Sequence, residues 1–445
     1  MKKILILGSG LSSSSLIKYL LDVSEEHNFK IIVTGLTLEQ AENKIKKHPN
    51  GQPKVFDISD IDELPKLIAD CDVVVSLLPA NYHIIVAKEC LKQSKHLFTA
   101  SYVSPDMRNL ESEVKEKGLL FLNECGVDPG IDHMSSMKII DEIRNKGGKL
   151  INFESNTGGL VAPEFDNNPW HYKFTWNARN VILAGQAGAR FLHNGKIKYI
   201  PYQQLFKRTE IVNVLDYGEF EVYGNRDSLI YKDVYGLDGI QTLFRGTMRR
   251  PGYSDAFNYF IKIGLTDDNL IMENSHELTN RTFLDSFLPE NPELSVEENL
   301  CKYLGITQDS DVFQKMQWLG LFDDETINLN HASAAQILQS VIEKKWQLAE
   351  WDLDMVVMQH QFVYELAGRK YERKSSLVVI GKDRIQTAMA ITVGTPLAIA
   401  VKLFLTGKMN ISGVVIPVTP EIYNPILDEL EEYGIKFIEE EKEIS

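Results

Sequence analysis

Residues 2–20, KKILILGSGLSSSSLIKYL, constrain the fold more than any other part of this chain. An apolar run at residues 4–7 stops at Gly8-Ser9-Gly10 and passes into a helix-like stretch. The pattern predicts a buried strand, a tight turn and a helix N-terminus, where backbone N–H groups bind the pyrophosphate of a dinucleotide. Gly8 permits the turn, and Gly10 lets the backbone approach phosphate. Ser13 holds the third position, where a small side chain is needed for helix–strand packing. The motif is GxGxxS rather than GxGxxG, and an ordinary strand-to-helix turn also fits it.

The alternation continues for about 130 residues. Strand-like runs at residues 29–34, 54–56, 72–78, 96–100 and 119–123 are separated by amphipathic helical segments. Strands alternating with helices predict a parallel sheet, with ligands outside its carboxyl ends. Beyond it, residues 150–155, 219–223 and 259–264 read as strands of a mixed sheet. Residues 275–351 read as helical and polar, and strand character resumes at 354–363 and 374–380. Residues 388–405 form a small-residue-rich apolar helix expected to pack on a sheet face. Residues 414–417 read as a late strand, and the acidic run at 429–443 as a solvated end. The domains expected are a dinucleotide-binding unit (1–130 plus 381–445), an α+β unit (131–274 plus 352–380) and a helical subdomain (275–351).

Bulk properties narrow the function classes. A chain of 445 residues, 44% hydrophobic and 24% charged, suits a multi-domain globular protein. A net charge of −15 without a basic patch argues against nucleic acid. No apolar run approaches the ~20 residues needed to span a bilayer. The first apolar run is too short for a signal peptide. Cys71, Cys90, Cys125 and Cys301 lack CxxC spacing and read as thiols in a reducing compartment. A cytoplasmic location is therefore expected.

In a dinucleotide fold the end of the second strand reads the adenosine ribose. Here that loop is Thr34-Gly35-Leu36-Thr37, with neither an acid for NAD nor an arginine for NADP. With no carboxylate to repel it, a 2′-phosphate is tolerated, and Thr34, Thr37 and backbone N–H groups could bind it; the loop leans to NADP and leaves NAD open. Asp57 reads either as a contact on the adenosine side or as a turn-initiating aspartate. Leu78 and Pro79 are expected to wall the nicotinamide.

The loops after the fifth and sixth strands are more specific. They read Thr99-Ala100-Ser101-Tyr102-Val103-Ser104-Pro105 and Asn123-Glu124-Cys125-Gly126-Val127-Asp128-Pro129-Gly130-Ile131-Asp132-His133. Further on come Gly158-Gly159-Leu160, Asn168-Pro169, Asn225-Arg226-Asp227-Ser228 and Arg245-Gly246-Thr247. In this order, over nearly the whole chain, these motifs resemble the glutamate-forming saccharopine dehydrogenases, also called saccharopine reductases. The resemblance implies a Rossmann-like parallel-sheet domain, an inserted α+β domain for substrate and dimerisation, and a helical subdomain. It also implies a homodimer acting on a small amino-acid substrate in lysine metabolism. An amino acid and a semialdehyde join as an imine, which a nicotinamide hydride reduces. In reverse, saccharopine is oxidised to glutamate and aminoadipate semialdehyde.

Site residues carry over by position. Ser9, Gly10, Leu11 and Ser12 match pyrophosphate contacts, and Gly8, the turn glycine, is counted with them in the cofactor site. Leu78, Ala100, Ser101, Val127 and Asp128 match contacts near the ribose and nicotinamide. Ser101, Tyr102, Asp128 and Arg245 match substrate contacts, with Asp128 and Tyr102 in catalytic roles. Thr266, Asp267 and Asp268 match a further substrate segment by spacing alone. The chemistry agrees, because a guanidinium at Arg245 suits a carboxylate and Asp128 suits a cationic amine. Each also has a structural reading: Arg245 as an ion-pair member, Asp128 as a turn residue, Tyr102 as packing. His133 is expected to be a buried hydrogen-bonded histidine rather than an acid, and Cys125 a core residue. His83, His96 and His360 have no visible partner. No metal-ligand set stands out.

The chain also departs from the family pattern. Leu36 stands where members often carry arginine. Asn156-Thr157-Gly158-Gly159-Leu160-Val161 replaces Tyr-Cys-Gly-Gly-Leu-Pro, and Asn168-Pro169-Trp170 replaces Asn-Pro-Leu. Two other readings stay open at this point: a carboxynorspermidine-type reductive condensation, and a nucleotide-binding homologue without turnover.

Overall fold

A computed structural model describes residues 1–445. The N-terminal alternation becomes a seven-stranded sheet in which every pairing is parallel. Its strands are β1 (Lys2–Leu7), β2 (Phe29–Gly35), β3 (Gly51–Val55), β4 (Val73–Ser76), β5 (His96–Phe98) and β6 (Leu120–Leu122), with Gly413–Val415 beside β6. The order β3-β2-β1-β4-β5-β6 reverses between β1 and β4, the switch point where doubly wound sheets bind dinucleotides. Helices cover both faces, so central strands are apolar throughout. Ile4 and Ile6 enter one core, while Leu5 and Leu7 enter another on the opposite face.

The second sheet has ten strands and is mixed. Its chain-order members are β7 (Lys149–Val161), β8 (Ala189–His193), β9 (Lys196–Ile200), β10 (Thr209–Asn213), β11 (Glu219–Gly224), β12 (Arg226–Asp227) and β13 (Thr242–Arg249), then Asp354–Leu366, Arg369–Ile380 and Ile438–Ile444. β13 runs parallel to β7, and Asp354–Leu366 pairs antiparallel on β7's other edge. The helix Ile131–Asn145 leaves β6 and joins the two sheets through a shared core. A second core, built around Trp170, Tyr253 and Trp346, ties the mixed sheet to the helices between residues 275 and 351.

Three expectations change. Residues 259–264 belong to the helix Tyr253–Ile263, not a strand. Its buried residues Tyr253, Ala256, Phe257, Phe260 and Ile263 follow helical spacing, which overrides the β-propensity of a short aromatic run. The acidic C-terminus is not a free end. Ile438–Ile444 pairs with Arg369–Ile380, and Arg373–Glu439, Lys442–Glu372 and Arg369–Glu443 ion pairs cross the strands. Dense charge is a common way to protect an edge strand. The chain therefore finishes on the mixed sheet rather than in the first domain.

The apolar helix Ala388–Leu405 is long and apolar enough to cross a membrane, yet 72% of it is buried inside the fold. It packs on the helix Ser13–Asp22 as well as on the core. A Cβ on Gly394 would meet the backbone N of Leu16 at 2.8 Å, so the small residue permits this close crossing.

Candidate active site

The dinucleotide end is built by the first strand–turn–helix. Gly8 has φ +107°, and a Cβ there would meet the carbonyl oxygen of Leu77 at 3.1 Å. A Cβ on Gly10 would meet nothing within 4 Å, so the loop opens outward. The backbone N–H groups of Gly10, Leu11 and Ser12 make no hydrogen bond within the chain. They precede the ten-residue helix Ser13–Asp22, whose N-terminal dipole favours an anion. Ser13 Oγ donates to the Gly10 carbonyl at 2.7 Å and holds the loop's shape. Ser9 abuts Gly35, where a Cβ would lie 2.8 Å from Ser9 Oγ. These donors and this clearance fit a pyrophosphate.

The adenosine end differs from the sequence reading. Thr34 is buried, and its hydroxyl accepts from Gly8 N–H and donates to the Ile6 carbonyl, both at 3.2 Å. It braces β1 against β2 and is not presented to a ribose. Leu36 is 63% exposed. The cation nearby is Lys44, which donates to the Gly10 carbonyl at 3.0 Å and to Ser14 Oγ at 2.6 Å. Asp57 is exposed, with Oδ1 accepting from Ser59 N–H at 2.9 Å, the turn-forming alternative.

The mouths of β5 and β6 lie together. Glu124 N–H donates to the Ser101 carbonyl at 3.0 Å, and a Cβ on Gly126 would meet Ala100 Cβ at 3.0 Å. This brings Ala100, Ser101 and Tyr102 beside Val127 and Asp128. His83, expected to lack a partner, bridges Ser76 Oγ at 2.8 Å and Ser101 Oγ at 2.7 Å. Burial pushes its pKa down to about 4. The neutral ring, with one donor and one acceptor nitrogen, fixes Ser101 at the mouth of the crevice. Leu78, half-buried, lies just past β4 at the same sheet end.

Asp128 is the centre of a charged cluster. Tyr102 Oη donates to its Oδ1 at 3.1 Å, and Arg245 Nη2 pairs with the same oxygen. Arg245 Nη2 also bonds Asp132 Oδ2 at 2.7 Å, while Asp132 Oδ1 accepts from Gly130 N–H at 2.6 Å. The Arg245 guanidinium lies 4.3 Å from the Tyr231 ring centroid. Burial, then the charge of Asp128, raises the Tyr102 pKa, so its hydroxyl keeps its proton and donates. Behind the cluster, fully buried His133 joins Glu124 Oε2 at 2.8 Å and Tyr235 Oη at 2.5 Å. Its expected role as a hydrogen-bonded core residue fits this geometry.

Arg245 is thus 5% exposed and already neutralised by two carboxylates, the ion-pair alternative of the sequence reading. A different guanidinium is free. Arg226, at positive φ in β12, is exposed and lies 5.4 Å from the Tyr102 ring centroid, with no carboxylate within ion-pair distance. Sequence reasoning quoted Arg226 in a motif but assigned it no role. Glu124 and Asp132 likewise stand in a quoted motif without a role, and Tyr231 stands outside the motifs. A cation within a turn-like Asn-Arg-Asp-Ser segment was the available signal.

Thr266, Asp267 and Asp268 make other bonds. Thr266 is buried and accepts from Tyr202 Oη at 2.9 Å. Asp267 Oδ1 accepts from Asn269 and Leu270 N–H in a turn. Asp268 pairs with Arg179 and accepts from Ser333 Oγ at 2.7 Å. None of their hydrogen bonds reaches the Asp128 cluster. Cys125 is fully buried and its thiol pKa is raised by burial, which suits packing.

Comparison with known proteins agrees with this layout. Residues 4–122 match the saccharopine dehydrogenase NADP binding domain, and residues 126–435 match the saccharopine dehydrogenase C-terminal domain. The chain belongs to the saccharopine dehydrogenase family. The NADP+, L-glutamate-forming saccharopine dehydrogenase of Saccharomyces cerevisiae is 35% identical over 98% of each chain. That of Schizosaccharomyces pombe is 32% identical over 99% of each. A solved apo structure of the Saccharomyces cerevisiae L-Glu-forming enzyme covers all of both chains, at 34% identity and a TM-score of 0.89. The family's two domains divide between β6 and the helix Ile131–Asn145, at the Asp128 cluster.

Proposed function

We propose that this chain is an NADP-dependent saccharopine dehydrogenase, interconverting saccharopine with glutamate and aminoadipate semialdehyde through an imine. The observation that carries the proposal is the convergence of the β5 and β6 mouths. Asp128 and Tyr102 sit beside a dinucleotide crevice, with the free guanidinium of Arg226 over Tyr102. Bound NADP(H) supplies or removes the hydride at the carbon–nitrogen bond.

The chain's own groups handle charge and position. Asp128 is mostly buried but keeps part of its side chain open, and it faces the cationic nitrogen of the imine or amine. Arg245 and Tyr102 both hold its Oδ1. Arg226 has the donors for a bidentate bond to a substrate carboxylate. Ser101, oriented by neutral His83, adds a hydroxyl at the same mouth.

The test is to mix the purified protein with saccharopine and NADP+ and follow NADPH formation. Rapid reduction is expected, with products identified as glutamate and the semialdehyde. No reduction with saccharopine, but oxidation of NADPH with a diamine plus an aldehyde, would replace this reading by reductive condensation. A homodimer through the mixed-sheet domain belongs to the same proposal. Exposed Ile197 and Tyr199 on β9 and Ile211 on β10 support it, and sedimentation measures it directly.

A further inference from the structure

A cleft of about 320 Å³ opens at the amino-terminal edge of the parallel sheet, the end opposite the cofactor crevice. Three adjacent strands start there. Lys2 opens β1, Asp72 immediately precedes β4, and His96 opens β5, with Ser94 and Lys95 in the turn before it. Phe404 and Leu405, at the end of the helix Ala388–Leu405, form the remaining wall. From Lys2 to the pyrophosphate loop, β1 spans roughly 20 Å. A molecule bound in the cleft is therefore out of reach of the nicotinamide.

The free polar groups of the cleft are donors. Leu120 N–H donates to His96 Nδ1 at 3.0 Å. Burial, then the charge of Lys2, holds the His96 pKa below its ordinary 6.5, so the ring is neutral at pH 7. With Nδ1 accepting, the proton of the neutral ring sits on Nε2. That N–H makes no hydrogen bond within the chain. Lys95 also depresses the His96 pKa, so its ammonium lies near the ring. Lys95 is half-buried and has no carboxylate within ion-pair distance. Asp72, the one acid lining the cleft, is already engaged. Its Oδ1 accepts from Lys2 Nζ at 3.2 Å, and its Oδ2 from Lys3 N–H at 2.8 Å. Asp70, beside it in sequence, pairs with Lys3 Nζ at 2.5 Å. Lys95 and the His96 N–H are left as unpaired donors. Next to them the Phe404 ring lies 4.4 Å from the His96 ring, centroid to centroid, and Leu405 extends the apolar wall. Two donors beside an apolar wall suit an anionic head on a short hydrocarbon tail better than a bare inorganic ion.

We propose that this cleft binds a small monocarboxylate with a short apolar tail. The carboxylate bridges Lys95 Nζ and the His96 Nε2–H, with Lys2 adding charge from the side, and the tail lies on Phe404 and Leu405. The cleft is a second ligand site, separate from the crevice at the carboxyl edge of the sheet and independent of the reaction proposed above.

Calorimetric titration of butyrate into the NADPH-saturated protein tests this, with butylamine and inorganic phosphate as comparisons. Saturation with NADPH keeps the cofactor crevice occupied. Butyrate is expected to bind with a Kd of about 1 mM, the affinity of a small ligand held by few contacts. Phosphate, which has no tail to bury, should bind about tenfold more weakly, and butylamine not at all. Lys95→Glu should abolish butyrate binding while leaving Tm and NADPH affinity at wild-type values. Should Lys95→Glu lower the Tm, Lys95→Gln removes only the charge and should still weaken butyrate about tenfold. Arg226→Ala, which removes a cation of the substrate cleft, should leave butyrate binding intact. No butyrate binding by the wild type, binding that survives Lys95→Glu (or, in its place, Lys95→Gln), or binding lost in Arg226→Ala would overturn the site. Phosphate or butylamine binding as tightly as butyrate would overturn the ligand class.

Discussion

The guanidinium of Arg226 lies over the ring of Tyr102, 5.4 Å from its centroid, and Tyr102 in turn donates to Asp128. This chain of contacts links an unneutralised cation, through Tyr102, to the carboxylate proposed above to face the reacting nitrogen. Its neighbour Asp227 pairs instead with Arg190 at 3.1 Å, so Arg226 keeps its charge for a ligand.

Arg226→Ala should therefore raise the saccharopine dissociation constant. Loss of charge-assisted hydrogen bonds worth ~1.5–3 kcal/mol corresponds to roughly 10–150-fold. Titration of NADPH should give nearly the wild-type constant, since Arg226 belongs to the mixed sheet and not to the strand–turn–helix that builds the pyrophosphate loop. Unchanged saccharopine affinity would remove Arg226 from the site.

Arg245→Ala should act mainly on stability. Its guanidinium is the shared counter-ion of Asp128 and Asp132, and both arms are buried on the arginine side. Removing one partner of a buried ion pair typically costs ~3–5 kcal/mol. A large fall in Tm is expected, partly reversed by adding Asp132→Asn. An Arg245→Ala protein with wild-type Tm would show that the guanidinium is not needed to neutralise Asp128 and Asp132.

The parallel sheet was legible because its signal is local. Each strand is a continuous apolar run, and Gly8 and Gly10 mark the first turn. That Ser101, Tyr102 and Asp128 would lie together was legible because they follow strands whose mouths converge. What stayed hidden was long-range. Nothing near Arg245 in sequence says that Asp132, over a hundred residues earlier, neutralises it. Likewise, the partners of His83 and the pairing of the acidic C-terminal strand come from tertiary contacts. Thr34 sits at the expected place, but its hydroxyl turns inward to brace Gly8.

The buried pair of His133 and Glu124 gives stability a pH dependence. Burial pulls the His133 pKa down, but Asp132 and the Glu124 hydrogen bond outweigh it, so the value lies above the ordinary 6.5. Burial likewise pushes Glu124 up, yet His133 brings it below the ordinary 4.5. The histidine's contribution is full below 6.5 and is lost as pH rises through its folded value. The glutamate's is present above 4.5 and is lost as pH falls through its folded value. A Tm series on the wild type should decline as pH climbs beyond 6.5, and His133→Asn should flatten that limb. Parallel curves for the two proteins would mean that His133 does not carry the titration.

Cofactor choice turns on a loop that offers little to a 2′-phosphate. Thr34 is spent on the backbone, and Thr37 caps the helix Leu38–Ile45 by accepting from Gln40 N–H at 3.3 Å. Leu36 N–H is held by Gln40 Oε1 at 3.1 Å, while its side chain points to solvent. That leaves Lys44, at the Gly10 carbonyl, as the cation beside the phosphate loop. Leu36→Arg should place a planar, permanently charged donor set at the end of β2 and raise NADPH affinity relative to NADH about tenfold, or ~1.4 kcal/mol. Lys44→Gln should shift the same ratio the opposite way. Fluorescence titrations with both nucleotides read both variants without any turnover. A ratio unmoved by Leu36→Arg would place the discrimination elsewhere on the sheet's carboxyl edge.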